Sequence, residues 1–236
     1  MTKFVIITRE QALATDLEQR LVAQGYTVAH LPLIACVANP IPERVLKVVP
    51  LADWVFFTSA VAAECFQTCL RPHHRIATIG FQTSKAVEAL GYPITFEAKG
   101  NYARDFLEEW LALGLSRQTI LLPQSSLSNP LMAEVLVEQG HEVLAFPMYE
   151  TRPNVAGQSQ VSAYLKQPEV IWTFASPSAW ESFYQVATRL PETHEVVVIG
   201  TSTAQAVQAD GVPVTAMPVF PSVEQMVQLI IDRRRV

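Results

Sequence analysis

The chain has little cysteine, little positive charge and little glycine, and each shortage closes off a class of function. Three cysteines in 236 residues, Cys36, Cys65 and Cys69, are too few and too odd in number for a disulfide framework. They fit a reducing compartment. Seventeen Lys and Arg stand against 22 Asp and Glu, a net charge of −5. Nonspecific nucleic-acid binding needs a basic face, and this charge argues against it. The one basic cluster, Arg233-Arg234-Arg235, reads as a solvated helix end favoured by the helix dipole. No apolar run approaches the length that crosses a bilayer. The run Phe4–Ile7 is too short for a secretory signal before the chain turns polar at Thr8-Arg9-Glu10. The expectation is a soluble cytoplasmic protein.

Nine glycines leave no G-x-x-x-x-G-K-[ST] and no G-x-G-x-x-G, and the chain also lacks H-E-x-x-H and G-x-S-x-G. Phosphate-loop, dinucleotide, zincin and nucleophile-elbow chemistry are therefore not expected, and no cofactor is expected. Cys65, Cys69, His73 and His74 invite a zinc reading. However, the two histidines are adjacent and Pro72 breaks the helix before they can share its face, whereas structural zinc wants four convergent ligands. Two core cysteines and two exposed histidines are expected there, with no metal.

What the chain does contain is a repeated pattern of strands and helices. Half of it is hydrophobic and 17% is charged, the balance of a globular protein long enough for two domains. Phe4–Ile7 and Tyr26–Leu31 read as strands around a helix carrying Leu13, Leu17 and Leu21 and stopped by Gly25. Val37–Pro50, with three prolines, reads as a loop with about one helical turn. Trp54–Phe57, Ile76–Ile79 and Ile94–Phe96 read as strands; helices are expected after Ser59, over Gln82–Leu90 and around Phe106–Leu111.

The pattern then restarts. Val5-Ile6-Ile7 matches Ile120-Leu121-Leu122 (120 − 5 = 115), and Leu21-Val22-Ala23-Gln24-Gly25 matches Leu136-Val137-Glu138-Gln139-Gly140 at the same offset. Phe57-Thr58-Ser59 matches Phe174-Ala175-Ser176 at 117, and Ile79-Gly80 matches Ile199-Gly200 at 120. A slowly drifting offset is a duplication with small insertions. Strands alternating with helices predict an α/β fold of two similar domains, each a parallel sheet flanked by helices. Leu31-Pro32-Leu33-Ile34 and Phe146-Pro147-Met148-Tyr149 are apolar runs broken by proline, which favours strand edges and exits. If the chain crosses between domains there, on two extended linkers, one domain is 1–35 plus 152–236 and the other is 36–151.

Small polar residues gather where strands end and helices begin: Thr8-Arg9, Thr58-Ser59, Gly80 to Thr83, Gln124-Ser125-Ser126, Ser176-Pro177-Ser178 and Gly200 to Thr203. In parallel sheets these turns share the carboxyl edge, where ligands bind and helix N-termini attract anions. Ser and Thr are also ordinary helix caps, and for any one turn capping suffices. Six such turns in two related sheets favour a shared anionic ligand. Tyr149 reads either as an interface aromatic or as a proton donor to that ligand.

The ordered set resembles the uroporphyrinogen-III synthase family over nearly the whole chain. The matching pieces are Ile7-Thr8-Arg9, Val55-Phe56-Phe57-Thr58-Ser59, Ala77 to Thr83, Met148-Tyr149-Glu150-Thr151, Phe174 to Ala179 and Val198 to Ala204. The resemblance implies two α/β domains, an active site in the cleft between them and no cofactor. It also implies the reaction. Hydroxymethylbilane loses the ring A hydroxyl as water, and ring D attacks the resulting electrophilic azafulvene. A spiro intermediate then fragments and recloses with that ring inverted. Tyr149 matches the family's cleft tyrosine, thought to help the hydroxyl leave. Arg9, Thr58, Ser59, Thr83, Ser125, Ser176, Ser178 and Thr203 are expected to bind substrate. Gln124 and Asn129 stand where many members carry a basic residue, and Val61 where some do, which shifts carboxylate binding onto backbone N–H groups and Arg9. A monomer, in transient contact with the enzyme that makes the substrate, is also expected. The alternatives are a hinged two-domain anion-binding protein and an inactive relative.

Overall fold

A computed structural model describes residues 3–100 and 102–233. The chain opens with β1 (Lys3–Ile7), α1 (Thr15–Ala23) and β2 (Tyr26–His30). Asp16 and Glu18 sit in the first turn of α1 and Arg20 in its last, as the helix dipole favours. Gly25 ends the turn at φ +76°. There follow β3 (Ile34–Ala38), α2 (Glu43–Val48), β4 (Trp54–Phe57), α3 (Ala60–Phe66), β5 (Arg75–Ile79), α4 (Phe81–Ala89), β6 (Phe96–Ala98) and α5 (Ala103–Leu111). The second pass is β7 (Thr119–Ser125), α6 (Leu131–Glu138), β8 (Glu142–Pro153), α7 (Val155–Leu165), β9 (Val170–Phe174), α8 (Pro177–Tyr184), β10 (His194–Val198), α9 (Thr201–Ala209) and α10 (Val223–Arg233).

The strands form two sheets, in the orders β10-β9-β1-β2 and β3-β8-β7-β4-β5-β6. Every pairing among β1, β2, β9 and β10, and every pairing among β4 to β8, is parallel. Under the sequence repeat β1 corresponds to β7, β2 to β8, β4 to β9 and β5 to β10. The order β10-β9-β1-β2 then becomes β5-β4-β7-β8, which is the centre of the larger sheet. The two copies have therefore exchanged their first strand–helix–strand units. The chain divides into two compact units, Met1–Ala35 with Arg152–Val236 and Cys36–Thr151.

Each sheet is buried on both faces, as parallel sheets must be. In β4, Val55 and Phe57 join one core with Phe66, Val87 and Phe146. Trp54 and Phe56 point the other way, into a core with Phe106, Trp110 and Leu136. In the smaller sheet Ile6, Trp172 and Phe174 pack with Trp180 and Phe183, while Val5, Ile7 and Ile171 pack with Leu17, Met226 and Ile230. The period-2 alternation sorts each strand between two cores.

Several expectations are corrected. Val37–Pro50 is not a loop with one turn: it holds the end of β3 and the whole of α2. Pro40 and Pro42 interrupt the periodicity between these two short elements, each too brief to show its own. Pro147 is not a strand exit, because β8 runs through it to Pro153. The ladder tolerates the proline at an irregularity: Pro147 pairs with Gln124, but Tyr149 rather than Met148 pairs with Ser125. The last strand of the first pass lies at Phe96–Ala98, not Ile94–Phe96. Leu13 is buried but precedes α1. His73 is exposed as expected, whereas His74 is buried. Arg234 and Arg235 of the basic cluster lie outside the described residues; Arg233 closes α10 and pairs with Glu195 at 3.1 Å. Among the described residues no helix is long and apolar enough to cross a membrane.

Candidate functional site

Parallel strands carry the predicted residues to the carboxyl edge of each sheet, in two sets. In the unit 36–151, β4 delivers Thr58 and Ser59. Ser59 is extended (φ −154°) and caps α3, its Oγ accepting from the Ala62 N–H at 3.2 Å. The same Oγ accepts from the Tyr149 hydroxyl at 3.2 Å. Tyr149 is only 8% exposed. Its strand position follows from the irregularity in β8, where one extra residue re-aims the side chains beyond Pro147. Opposite it, Ser125 accepts from the Leu127 N–H at 3.2 Å, and the Tyr149 carbonyl accepts from the Ser126 N–H at 3.0 Å. Burial raises the Tyr149 phenol above its ordinary value of 10.0; hydrogen bonding to Ser59 opposes the rise, the Cys36 thiol adds to it, Ser125 opposes and Cys65 adds. Tyr149 is therefore a protonated donor at neutral pH and not a base.

Thr83 is the third residue of α4 and 5% exposed. The N-cap position belongs to Gly80, at φ +80° and with no side-chain cap. A left-handed backbone there suits only glycine, and glycine brings no hydroxyl to occupy the helix's N–H groups.

In the other unit Arg9 follows β1, half-buried, and its guanidinium donates to Gln11 Oε1 at 2.7 Å. Burial lowers its pKa and Glu224 opposes the shift. Thr8 beside it is fully buried, and its hydroxyl donates to the Thr173 carbonyl at 2.6 Å, a structural tie between β1 and β9. Ser176 repeats the Ser59 geometry: φ −159°, with Oγ accepting from the Ala179 N–H at 3.2 Å. Its Oγ lies 3.0 Å from that of Ser178. Thr203 is the third residue of α9, 2% exposed, behind an N-cap Gly200 that again carries no side-chain cap.

The expected residues thus separate by role. Ser59 and Ser176 are caps. Thr83 and Thr203 sit inside the first turn of glycine-opened helices and are not caps. Arg9 and Ser125 are not at helix starts, since α1 begins at Thr15 and α6 at Leu131. Ser59, Ser125 and Tyr149 form one hydrogen-bonded cluster. Sequence reading missed Cys36 and Cys65 beside Tyr149; nothing in their spacing pointed there. The metal reading of Cys65 to His74 is met by His74, whose Nδ1 accepts from the Arg71 N–H at 3.2 Å and whose Nε2 donates to the Val49 carbonyl at 2.8 Å. Among the described residues no cluster of His, Cys, Asp and Glu is placed to hold a metal ion.

Comparison with known proteins gives one answer. The family model described as uroporphyrinogen-III synthase HemD matches residues 15–228. A uroporphyrinogen-III synthase from Chlorobaculum parvum is 22% identical over 242 residues, covering 92% of this chain and 94% of that protein. Among solved structures, uroporphyrinogen-III synthetase from Helicobacter pylori aligns with a TM-score of 0.70 at 18% identity, covering 99% of this chain and 100% of that one. A mutant uroporphyrinogen III synthase from Thermus thermophilus aligns at 0.64 and 16% identity, covering 99% and 98%. These structures share the α/β fold, with parallel sheets flanked by helices.

Proposed function

Because this chain belongs to the uroporphyrinogen-III synthase family, we propose that it is a cyclising lyase of tetrapyrrole (haem) biosynthesis that closes hydroxymethylbilane to uroporphyrinogen III. The match of the family model over residues 15–228 carries the reading. The reaction releases one water: the hydroxyl departs from ring A and ring D is inverted before closure.

The substrate closes unaided to the uninverted isomer, so the protein's task is to hold one conformation and steer closure. Its eight carboxylates meet a protein of net charge −5. Fixed local donors do what the overall field opposes. In one unit these are the first turn of α4 with Thr83, and Thr58 and Ser125; in the other they are Arg9, Ser176, Ser178 and the first turn of α9 with Thr203. Tyr149, kept protonated by burial and oriented by Ser59, donates a hydrogen bond to the departing hydroxyl. A monomer in the cytoplasm, receiving its reactive substrate in transient contact with the enzyme that makes it, completes the reading.

The test is to incubate the protein with freshly made hydroxymethylbilane, oxidise, and separate the isomers. Type III in excess of the protein-free control is the expected result. A product mixture matching that control, mostly type I, overturns the reading.

A further inference from the structure

Two phenylalanines stand in water at the carboxyl edges of the two sheets. Phe81 is 69% exposed and Phe220 is 67% exposed. A single exposed apolar side chain is ordinary; what sets these two apart is where they stand. Phe81 is the first residue of α4, between Gly80 and Thr83. Phe220 precedes Pro221, and a Cβ added at Gly200, the N-cap of α9, would lie 3.3 Å from the Pro221 Cβ. Next to Phe220, Val219 is also exposed. In each unit, then, an exposed aromatic belongs to the segment lying against the glycine that opens the threonine-bearing helix.

The duplication alone does not produce this. At the offset of 120 the counterpart of Phe81 is residue 201, a threonine. The second unit instead supplies its aromatic from the loop in front of α10. Two different segments place the same kind of side chain beside the same kind of turn.

Resting on the function proposed above, we propose that Phe81 and Phe220 are positioning residues whose rings lie against pyrrole rings of the linear tetrapyrrole. Each pyrrole is flat and electron-rich and carries carboxylate arms. Donors at the helix starts hold an arm, but a ring held by its arm alone still turns about it. An aromatic face or edge beside the anchoring turn removes that freedom, since aromatic pairs favour offset-stacked and edge-to-face arrangements. Steering closure requires the rings, and not only the arms, to be held.

The experiment compares wild type with Phe81→Ala, Phe220→Ala and the corresponding Tyr and Leu variants, using hydroxymethylbilane as substrate. Each alanine variant should raise KM roughly two- to tenfold and release more type I isomer, with kcat and melting temperature close to wild type. Tyrosine should restore wild-type KM and leucine should not, because leucine keeps apolar area and lacks the ring. An unchanged KM in the alanine variants, or full rescue by leucine, overturns the assignment while wild type still forms type III. A wild-type protein that yields only the control mixture removes both this assignment and the reading beneath it.

Discussion

Ser59 offers the sharpest perturbation, because one oxygen serves two partners and the duplication provides its control. Its Oγ accepts from the Ala62 N–H and from the Tyr149 hydroxyl, each at 3.2 Å. Ser59→Ala removes a helix cap, about 1 kcal/mol, and the acceptor of a nearly buried phenol, a net hydrogen bond of about 0.5–1.5 kcal/mol. Ser125 remains beside the phenol, which favours the lower end. Ser176→Ala removes a cap of the same geometry, also at 3.2 Å, and its second partner is the half-buried Ser178 hydroxyl at 3.0 Å in place of a nearly buried phenol, so only the difference between those two partners remains. We expect Ser59→Ala to cost more than Ser176→Ala by about 0.5–1 kcal/mol in urea unfolding. A double-mutant cycle with Tyr149→Phe isolates the shared term, and a coupling of that same size is expected. The catalytic arm runs in parallel. Tyr149→Phe should lower kcat by about tenfold to a hundredfold, the low end for a positioned acid, since this hydroxyl departs readily. Adding Ser59→Ala to it should cost little more, because orienting an absent hydroxyl has no effect. Fully additive losses in both stability and kcat would refute the claim that Ser59 acts through Tyr149.

Three further outcomes are expected. Thr83→Val and Thr203→Val keep the buried shape and lose the hydroxyl; each should raise KM by roughly tenfold, the value of one charge-assisted hydrogen bond, and wild-type KM in both would remove these threonines from the binding set. His74 is held neutral, with Nδ1 accepting a backbone N–H; burial lowers its pKa below 6.5, Val49 opposing and His73 and Arg71 adding. The unfolded state therefore binds more protons on the acid side, so this contribution to stability is complete above pH 6.5 and is lost as pH falls toward the folded value. Melting curves from pH 8 to 5 should fall less steeply for His74→Gln than for wild type, and equal slopes would count against this role. Gly157→Ala should destabilise by about 1–3 kcal/mol although alanine is the better helix former, because its Cβ would lie 2.0 Å from the Pro32 carbonyl oxygen; a stabilised variant would disprove the close contact.

Much of the fold was legible because burial on both faces leaves an unmistakable run such as Trp54-Val55-Phe56-Phe57, and because the duplication lets one half check the other. What was not legible came from short or compensated elements. Pro147 looked like a break, since a ladder irregularity that accommodates proline leaves no local signature beyond the proline itself. The strand and helix within Val37–Pro50 are each shorter than a dependable periodic signal. At the site, residue types and edges were readable, and roles were not: nothing local tells that Ser59 caps a helix while Thr83 lies past a glycine N-cap. The Tyr149–Ser59 bond joins residues 90 apart in sequence, and only the pairing of β4, β7 and β8 brings them together.

The strand order β10-β9-β1-β2 has a consequence for how the protein is made on the ribosome. Phe4 in β1 pairs with Val170 in β9, 166 residues downstream (170 − 4 = 166). At about 5–20 residues per second the first strand waits roughly 8–33 s for that partner. The unit 36–151 is synthesised entirely in the meantime, while Val5-Ile6-Ile7, buried in the finished sheet, has only β2 and α1 for cover. The earliest residues synthesised are therefore among the last to be sheltered, and a nascent chain stalled before β9 is made would present an apolar strand lacking its β9 partner, the kind of segment that holdase chaperones take up.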